Sequence, residues 1–298
     1  MTRAGHLLTG FALCLALAAG TRDALDIWID RTALPATLAE TSPEMRDRNG
    51  RLLRAYQVGD GIWRLAVRSD EVDPRYIAML IRYEDKRFRT HHGVDPLALL
   101  RAAGQAVWNG GTVSGGSTLT MQVARLIEDG PTGRWAGKLR QIRVALALER
   151  RMDKASILQL YLTNAPYGGN VEGIRAATYG WFGKPPRRLT PAQAALLVAL
   201  PQSPETRRPD RHPEAARAAR DAVLARMVDA GVLSEVVAQV EQRAPLPDGL
   251  RAFPRLAAHL GDTLRAEAPG ADLATILKPQ VHLAALCEEH DVPCLDLY

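Results

Sequence analysis

The chain has 298 residues, of which 47% are hydrophobic and 24% charged, so it can bury a sizeable core and has the composition of an ordinary globular protein. The formal net charge of +5 and the pI near 9.3 favour an anionic partner. Nucleic acid ranks below an anionic membrane surface or a phosphate-bearing substrate, because no basic helix is interleaved with aromatic residues and no zinc-ligand spacing occurs. The three cysteines, Cys14, Cys287 and Cys294, form no Cys-x-x-Cys pattern, and the domain between them needs no disulfide.

The N-terminal segment, residues 1–22, is predicted to be a signal peptide or a signal anchor. Its apolar run from Leu7 to Gly20 follows Arg3 and is shorter than the roughly 20 residues of a spanning helix. The small-residue pattern Ala16-Leu17-Ala18 is typical of a signal cleavage site. We expect the chain to be exported in either case.

Residues 23–75 are predicted to form a linker and hairpin region. The turn dipeptides Asn49-Gly50 and Asp60-Gly61 each lie beside a short strand-like run, as is typical of β-hairpins. We expect a small hairpin that packs on the domain that follows it.

A helix is predicted from Pro74, and its apolar stripe includes Glu84. The stripe recurs at helical spacing through Ile77, Leu80, Ile81 and Phe88. Burial would remove the hydration of the Glu84 carboxylate, so its pKa should rise toward the range useful for proton transfer. The plainer alternative is a surface glutamate held by Arg82 or Arg87, which would be preferred if Glu84 stood alone.

A turn rich in small residues and hydroxyls, Gly115 to Thr118, is predicted to open another helix. The free N–H groups at such a helix start suit anionic oxygens. Gln122 and Arg125 follow Thr118 by four and seven residues, so the three side chains should share one face and offer a hydroxyl, an amide and a cation to one ligand. Such a turn alone is usually a plain junction, and its pairing with the acidic segment makes the pattern specific.

Further helices are predicted over residues 96–107, 138–151, 154–162, 173–182 and 192–200, with two more between residues 213 and 240. Lys138 and Gln141 share a face of their helix and can point into one cleft, although a single helix lysine is more often solvated. The loop with Arg207, Arg208 and Arg211 is expected to be solvated. The pair His91-His92 lacks further ligands nearby, so a structural or substrate-contacting role is favoured over a metal site.

Two motifs together carry a family resemblance. They are Glu84-Asp85-x-x-Phe88-x-x-His91-x-Gly93 and Gly115-Gly116-Ser117-Thr118-Leu119-Thr120-x-Gln122. They resemble the first two motifs of the peptidoglycan glycosyltransferases, glycosyltransferase family 51, the module of class A penicillin-binding proteins and of monofunctional transglycosylases. The resemblance covers roughly residues 45–255 and continues through residues 138–141, 154–162, 165–170 and 191–197.

The resemblance implies a mainly α, lysozyme-like glycosyltransferase fold over residues 76–255, with a small N-terminal β-hairpin region and a membrane-proximal jaw subdomain. It implies inverting transfer from lipid II to a growing glycan strand, with release of undecaprenyl diphosphate. Glu84 would be the general base and Asp85 would orient it. The implied substrate-binding residues are Phe88, His91, Ser117, Thr118, Gln122, Arg125, Lys138 and Gln141.

The resemblance favours an uncleaved anchor in the inner membrane, with the catalytic module on the periplasmic side. Lipid II, the glycan strand, the membrane and other cell-wall synthesis proteins are the implied partners. The resemblance implies no definite cofactor, and it is compatible with a divalent cation, Mg²⁺ or Mn²⁺.

Several positions depart from the family pattern. Arg125 replaces a common lysine and keeps its charge. Gln141 replaces a glutamate and cannot ionise, although its amide can hydrogen-bond a phosphate or a sugar hydroxyl. Gln159 and Thr163 likewise replace the Glu and Asn common in their helix. No Ser-x-x-Lys or Lys-Thr-Gly occurs, so transpeptidase activity is not expected and residues 256–298 are expected to be a truncated or divergent tail.

Two other functions stay open at this point. One is a non-catalytic scaffold that binds lipid II, which the uncharged Gln141 and the absence of the transpeptidase motifs favour. The other is a lysozyme-like hydrolase, since a glutamate at a helix end in an α-rich fold can cleave glycan with water.

Overall fold

The structure is a computed structural model that describes residues 3–35, 37, 39–47, 49–109, 116–128, 135–256, 259, 262, 263 and 266. The helices are α1 (Arg3–Asp30), α2 (Pro74–Glu84), α3 (Pro96–Asn109), α4 (Leu119–Ile127), α5 (Trp135–Arg151), α6 (Lys154–Asn164), α7 (Ile174–Phe182), α8 (Pro191–Ala199), α9 (Pro213–Asp229) and α10 (Glu235–Gln242). The strands are β1 (Glu44–Arg46), β2 (Leu52–Ala55), β3 (Trp63–Arg64) and β4 (Val171–Glu172), and short 3₁₀ turns cover Ser69–Glu71 and Leu200–Gln202. The predicted mainly α class is confirmed, and the predicted helices agree with these bounds to within a few residues.

One compact unit comprises residues 1–37 and 87–158. In its core α4 packs against α5, because each helix presents an apolar face to the other. The buried residues are Leu119, Met121, Val123 and Ala124 on α4 and Val144, Ala145, Ala147 and Leu148 on α5. This packing fixes the direction of both helices that carry the predicted cationic residues.

Helix α1 contacts α5, and polar interactions are part of that contact. Arg150 donates to the Asp30 carboxylate at 2.8 Å, and the Arg143 guanidinium lies 4.8 Å from the centre of the Trp28 ring. Helix α1 runs without a break through residue 22. Among the residues that the structure describes, no helix is both long enough and apolar enough to cross a membrane.

The other compact unit comprises residues 38–86 and 159–298. Helices α2, α9 and α10 all pack on α8, which is nearly all apolar and buried, as its sequence predicts. Helix α8 begins at the predicted Thr190-Pro191 cap. The Thr190 hydroxyl accepts from the Gln193 amide at 3.2 Å, and the Gln193 side chain accepts from the Thr190 amide at 3.1 Å, which is a capping box.

The predicted hairpin is confirmed at the first of the two turn dipeptides. Strand β1 pairs antiparallel with β2, and Asp47 accepts hydrogen bonds from the Asn49 and Arg51 amides across the turn. Gly50 takes the positive φ of 77° that this turn requires. The second dipeptide instead leads into β3, whose partner is not a neighbouring strand. Strand β3 pairs in parallel with β4, and Trp63 lies opposite Val171, which is distant in the sequence.

The contacts divide the chain differently from the domains predicted from sequence, and the boundaries after residues 22, 75 and 255 stay predictions. The Leu256 amide donates to the Leu53 carbonyl at 2.9 Å, so the start of the predicted tail adds to the hairpin.

Candidate active site

Glu84 is the last residue of α2, and its position differs from the one that the apolar stripe predicts. The fully buried face of α2 consists of Tyr76, Met79 and Leu80, whereas Glu84 is half-buried, as are Ile77 and Ile81. The buried stripe therefore lies to one side of the predicted one. The reason is that the Tyr76 hydroxyl has a buried partner in the Tyr167 hydroxyl at 2.8 Å, so a tyrosine can take the central core position.

Helix α2 ends between the two predicted catalytic residues, since Glu84 is its last residue and Asp85 is its C-cap. Asp85 has φ −153° and ψ 80°, outside the helical region, and its side chain is only 6% exposed. The Glu84 Oε1 atom accepts a hydrogen bond from the Gln202 Nε2 atom at 2.6 Å. Of the two carboxylates, the aspartate is thus the more deeply buried, and the glutamate lies where a ligand can reach it.

Phe88 and His91 lie in the other unit, in the loop before α3. Phe88 is 1% exposed and meets the His91 ring edge to face at 6.3 Å, while the Lys154 ammonium lies 4.7 Å from the centre of its ring. The His91 Nδ1 atom accepts from the Gly93 amide at 3.2 Å. The structure shows both rings as packing residues, and their contact with a substrate stays a prediction.

Gly93 explains why the first motif ends in glycine. Its φ is +89°, and a Cβ at this position would lie 2.6 Å from the Ala145 carbonyl oxygen on α5. The Gly93 carbonyl in turn accepts from the Thr118 hydroxyl at 2.6 Å. A side chain at position 93 would therefore push the loop away from α5 and disturb its hydrogen bond with Thr118 at the start of α4.

Thr118 serves as the N-cap of α4. Its hydroxyl accepts from the Met121 amide at 3.1 Å while donating to Gly93, and the side chain is 2% exposed. Both hydrogen-bonding functions thus support the fold. The predicted contact of Thr118 with a ligand gains no support from this geometry, whereas the neighbouring Ser117 is half-buried and faces a cation.

Ser117 and Lys138 are in contact just before the start of α4, and Arg125 lies in the last turn of that helix. The Lys138 ammonium donates to the Ser117 Oγ atom at 2.6 Å. Burial, together with the nearby positive charge of Arg125, lowers the pKa of Lys138 from its ordinary value. Arg125 is exposed, and within the part of the chain that the structure describes neither cation forms an ion pair. We name these three residues the cation cluster.

The two predicted amide ligands lie on the helices that carry the cation cluster. Gln141 lies on the same face of α5 as Ala145 and Leu148, and it is 8% exposed. Gln122 is half-buried on α4. The shared face of Lys138 and Gln141 is confirmed, with Gln141 nearer the core and Lys138 nearer the surface.

Sequence reasoning missed three polar residues. Gln202 lies in the turn of residues 201–204. Arg207 lies in the loop that also holds Arg208 and Arg211, which we name the arginine loop. Hydrogen bonds link Arg207 to Gln202 and Gln202 to Glu84. Glu149 accepts from Thr120 at 2.7 Å and from Lys154 at 2.5 Å. Glu149 lies four residues after Ala145, on a face of α5 that is otherwise apolar, and this lone charge is the sequence feature that could have indicated it.

The arginine loop is not simply solvated, as the sequence suggested. Arg208 is 8% exposed and pairs with Asp210, which fixes the loop against the glycine turn at Gly168. Arg207 donates to the Ala199 carbonyl at 2.8 Å. Arg211 alone of the three is fully at the surface.

Two of the departures from the family pattern have structural roles in the unit that holds them. The Gln159 side chain accepts from the Ser69 amide at 3.0 Å and donates to the Val67 carbonyl, which ties α6 to the segment before α2. The Thr163 hydroxyl donates to the Gln159 carbonyl at 2.9 Å. Among the described residues, no group of three or more His, Cys, Asp or Glu side chains is placed to hold a metal ion.

Comparison with known proteins identifies the family of the chain. A sequence-family model described as "Transglycosylase" matches residues 49–228, which is more than half of the chain. Penicillin-binding protein 1C of Escherichia coli K12 is 44% identical over 225 residues, which cover 75% of this chain and 29% of that protein. Residues 165–170 and 201–204 of this chain most resemble the penicillin-binding protein 1C type.

More distant relatives are also found. Penicillin-binding protein 1A of the same organism is 36% identical over 172 residues, which cover 58% of this chain and 20% of that protein. A crystal structure of penicillin-binding protein 1A from Haemophilus influenzae matches with a TM-score of 0.39 at 18% identity, over 79% of this chain and 24% of that one. The chain thus spans less than a third of the length of these relatives. On the match to the family model, the chain belongs to the transglycosylase family.

Proposed function

We propose that the chain is a peptidoglycan glycosyltransferase that polymerises lipid II by inverting transfer and releases undecaprenyl diphosphate. The observation that carries the proposal is the cation cluster, in which Lys138 donates to a serine hydroxyl before the start of α4 while the positive charge of Arg125 acts on it. Two cations held together without a carboxylate repel each other, and an anion such as a diphosphate relieves that repulsion. The membership in the transglycosylase family supports the same reading.

In the proposed reaction the acceptor sugar hydroxyl attacks the anomeric carbon of the donor. The hydroxyl proton passes to Glu84, the new glycosidic C–O bond forms, and the bond from the anomeric carbon to the diphosphate oxygen breaks. The half-buried position of Glu84 at a helix end supports this role, since the carboxylate is fixed by Gln202 and still open to a ligand. Asp85, buried one residue later, would hold the local backbone and orient Glu84.

The leaving diphosphate would be bound by Lys138, Arg125 and Ser117. Their N–H and O–H groups are donors, and positive charge stabilises the charge that develops on the departing oxygen. Gln122 and Gln141, on the same two helices, would bind sugar hydroxyl or amide groups, since a neutral amide can both donate and accept. Phe88, His91 and Thr118 would act through packing.

The proposal places the module on the periplasmic side of the inner membrane, where lipid II and the growing glycan strand are available. A requirement for Mg²⁺ or Mn²⁺ stays a prediction, because the described residues offer no ligand set for such an ion. Loss of turnover on chelation, with recovery on adding back either ion, would show that the reaction uses it.

The test is incubation of the native chain with radiolabelled lipid II and, separately, with preformed glycan, followed by separation of polymer, lipid diphosphate and soluble fragments. The proposal predicts glycan polymer together with undecaprenyl diphosphate. Soluble muropeptides from preformed glycan, without lipid diphosphate, would show a lysozyme-like hydrolase. Bound precursor with no product would show a non-catalytic scaffold.

A further inference from the structure

We propose that Gln202 and Arg207 are positioning residues for Glu84, acting in series as an arginine–glutamine relay. This inference rests on the proposed function, in which Glu84 takes the acceptor proton. The Gln202 Nε2 atom donates to Glu84 Oε1 at 2.6 Å, and Gln202 Oε1 accepts from Arg207 Nη1 at 2.9 Å. All three residues belong to the same compact unit.

The chemistry of the two ends fixes the orientation of the amide between them. A guanidinium carries only donors, and an ionised carboxylate carries only acceptors. Only one orientation of the Gln202 amide satisfies both, with its oxygen toward Arg207 and its nitrogen toward Glu84. A flipped amide would lose both hydrogen bonds, so the relay holds Gln202 in a single state and Gln202 holds the carboxylate.

The fold anchors the far end of the relay. The Nη1 atom of Arg207 also donates to the Ala199 carbonyl at 2.8 Å, at the end of α8. Gln202 itself lies in the 3₁₀ turn that directly follows α8, between Pro201 and Ser203. Since α8 is the buried centre of this unit and α2 packs on it, both Gln202 and the end of α2 are positioned by the same core.

The interposed amide has a consequence for the base. A direct Arg–Glu ion pair would favour the ionised carboxylate strongly and weaken it as a base. With a neutral amide between them, the charge of Arg207 stays one residue away from the carboxylate, while a polarised N–H still orients it. The relay thus positions Glu84 without a direct ion pair to Arg207.

Gln202 is an exposed residue, which makes it a clean target for substitution. Water can replace its hydrogen bond in the folded state, so Gln202→Leu should leave the melting temperature within about 1 °C of the native value. Without the amide, the Glu84 carboxylate loses the hydrogen bond that fixes its Oε1 atom. We expect kcat for polymerisation to fall about 10-fold while KM changes less than about twofold, because a misplaced base affects the chemical step.

Two further measurements distinguish a positioning role from a merely structural one. The acid limb of the pH–rate profile of Gln202→Leu should move to higher pH by roughly a few tenths of a unit, because an N–H that favours the ionised carboxylate has been removed. Arg207→Met alone should lower kcat about 3- to 10-fold, whereas Arg207→Lys, which keeps a cationic donor, should retain most of the activity. In the Gln202→Leu background, Arg207→Met should add no further loss, since Arg207 acts through Gln202.

The control variants are Gln239→Leu and Arg217→Met. Gln239 donates its amide to the Glu235 carboxylate on the exposed surface of α10, and Arg217 lies on the exposed surface of α9. Both should polymerise lipid II at the native rate. Additive losses in the double variant, or an unchanged kcat in Gln202→Leu, would overturn the relay while leaving the proposed function intact. Failure of the native chain to polymerise lipid II would overturn both.

Discussion

The two units of this chain hold their charged functional groups in opposite ways. In the unit with Glu84, the carboxylate meets a neutral amide, and the nearest member of its series with a positive charge is Arg207, one residue further along. In the unit with the cation cluster, the positive charge of Arg125 acts on Lys138, and no carboxylate is paired to either cation among the described residues. The difference fits the proposed function, in which the carboxylate is oriented to take a proton and the cations bind an anion of the substrate.

The largest expected effect comes from the carboxylate. Glu84→Gln keeps the size of the side chain and removes its basicity, so we expect turnover of lipid II to fall by about 10²–10⁴-fold. The control is Glu214→Gln, a surface substitution in the first turn of α9 that should leave turnover unchanged. Initial rates of polymer formation at saturating lipid II measure both. Near-native turnover in Glu84→Gln would remove the base from this residue.

The second effect concerns the support of the cation cluster. In Gly93→Ala the new Cβ would lie 2.6 Å from the Ala145 carbonyl oxygen, at a φ that L-residues rarely adopt. We expect a loss of about 2–4 kcal/mol in the free energy of unfolding, measured by urea denaturation. Gly50→Ala is the matched control, because Gly50 has a similar φ of 77° with open space around it, and it should cost only about 1 kcal/mol. Equal losses would show that the close contact with α5 contributes nothing.

The third effect separates binding from stability in the cation cluster. Lys138→Met should lower kcat/KM for lipid II by about 10- to 100-fold, because a cation that binds the diphosphate is lost. The same change removes repulsion from Arg125, so we expect the melting temperature to rise by about 1–2 °C despite the lost Ser117 contact. Inorganic diphosphate should raise the melting temperature of the native chain and not that of the variant. An equal rise in both would place the anion elsewhere.

The pH dependence of that stability difference follows from the lowered pKa of Lys138. A lysine whose pKa is lower in the folded state disfavours folding while it is charged in both states. The penalty is relieved as the pH rises through the folded-state pKa toward the unfolded value of about 10.4. The melting temperatures of the native chain and of Lys138→Met should therefore converge above neutral pH, in thermal scans across that range.

The smallest expected effect concerns Asp95, which begins α3. Burial raises the pKa of this carboxyl, but the hydrogen bonds from Arg87 and from the Ala98 amide outweigh it and hold the pKa below its ordinary value. The resulting stability is present above the unfolded pKa of about 3.9 and is lost as the pH falls through the folded-state pKa. Asp95→Asn should cost about 1 kcal/mol at pH 7, after discounting for the partly exposed Arg87, and the difference should vanish in strong acid. A constant difference at all pH values would contradict this account.

Local features of the fold could be predicted from sequence because their signals are local. The Thr190-Pro191 cap, the Asn49-Gly50 turn and the Thr118 helix start each depend on neighbouring residues and are all found in the structure. The side-chain partners of distant residues could not be predicted in this way. The Tyr76–Tyr167 hydroxyl pair shifted the buried face of α2, and no period in the sequence of α2 indicates a partner 91 residues away.

The candidate site divides along the same line. The shared helix face of Lys138 and Gln141 follows from a period of 3.6 residues, and the structure confirms it. The relay from Arg207 through Gln202 joins Glu84 to a turn 118 residues later, and an exposed glutamine beside a proline gives no signal of that kind. The role of Thr118 as a buried cap, with its hydroxyl on Gly93, likewise depends on a contact across 25 residues.

The measurement that tests the central claim most directly is the affinity of Glu84→Gln and of Lys138→Met for lipid II, determined by equilibrium binding beside the turnover of each variant. If Glu84 is the base and Lys138 belongs to the anion site, one variant should lose turnover and the other should lose affinity. Glu84→Gln should bind lipid II with near-native Kd while its turnover falls by about 10²–10⁴-fold, and Lys138→Met should bind at least about 10-fold more weakly and still form polymer at high lipid II. Equal loss of binding in both variants, or near-native turnover in Glu84→Gln, would contradict it.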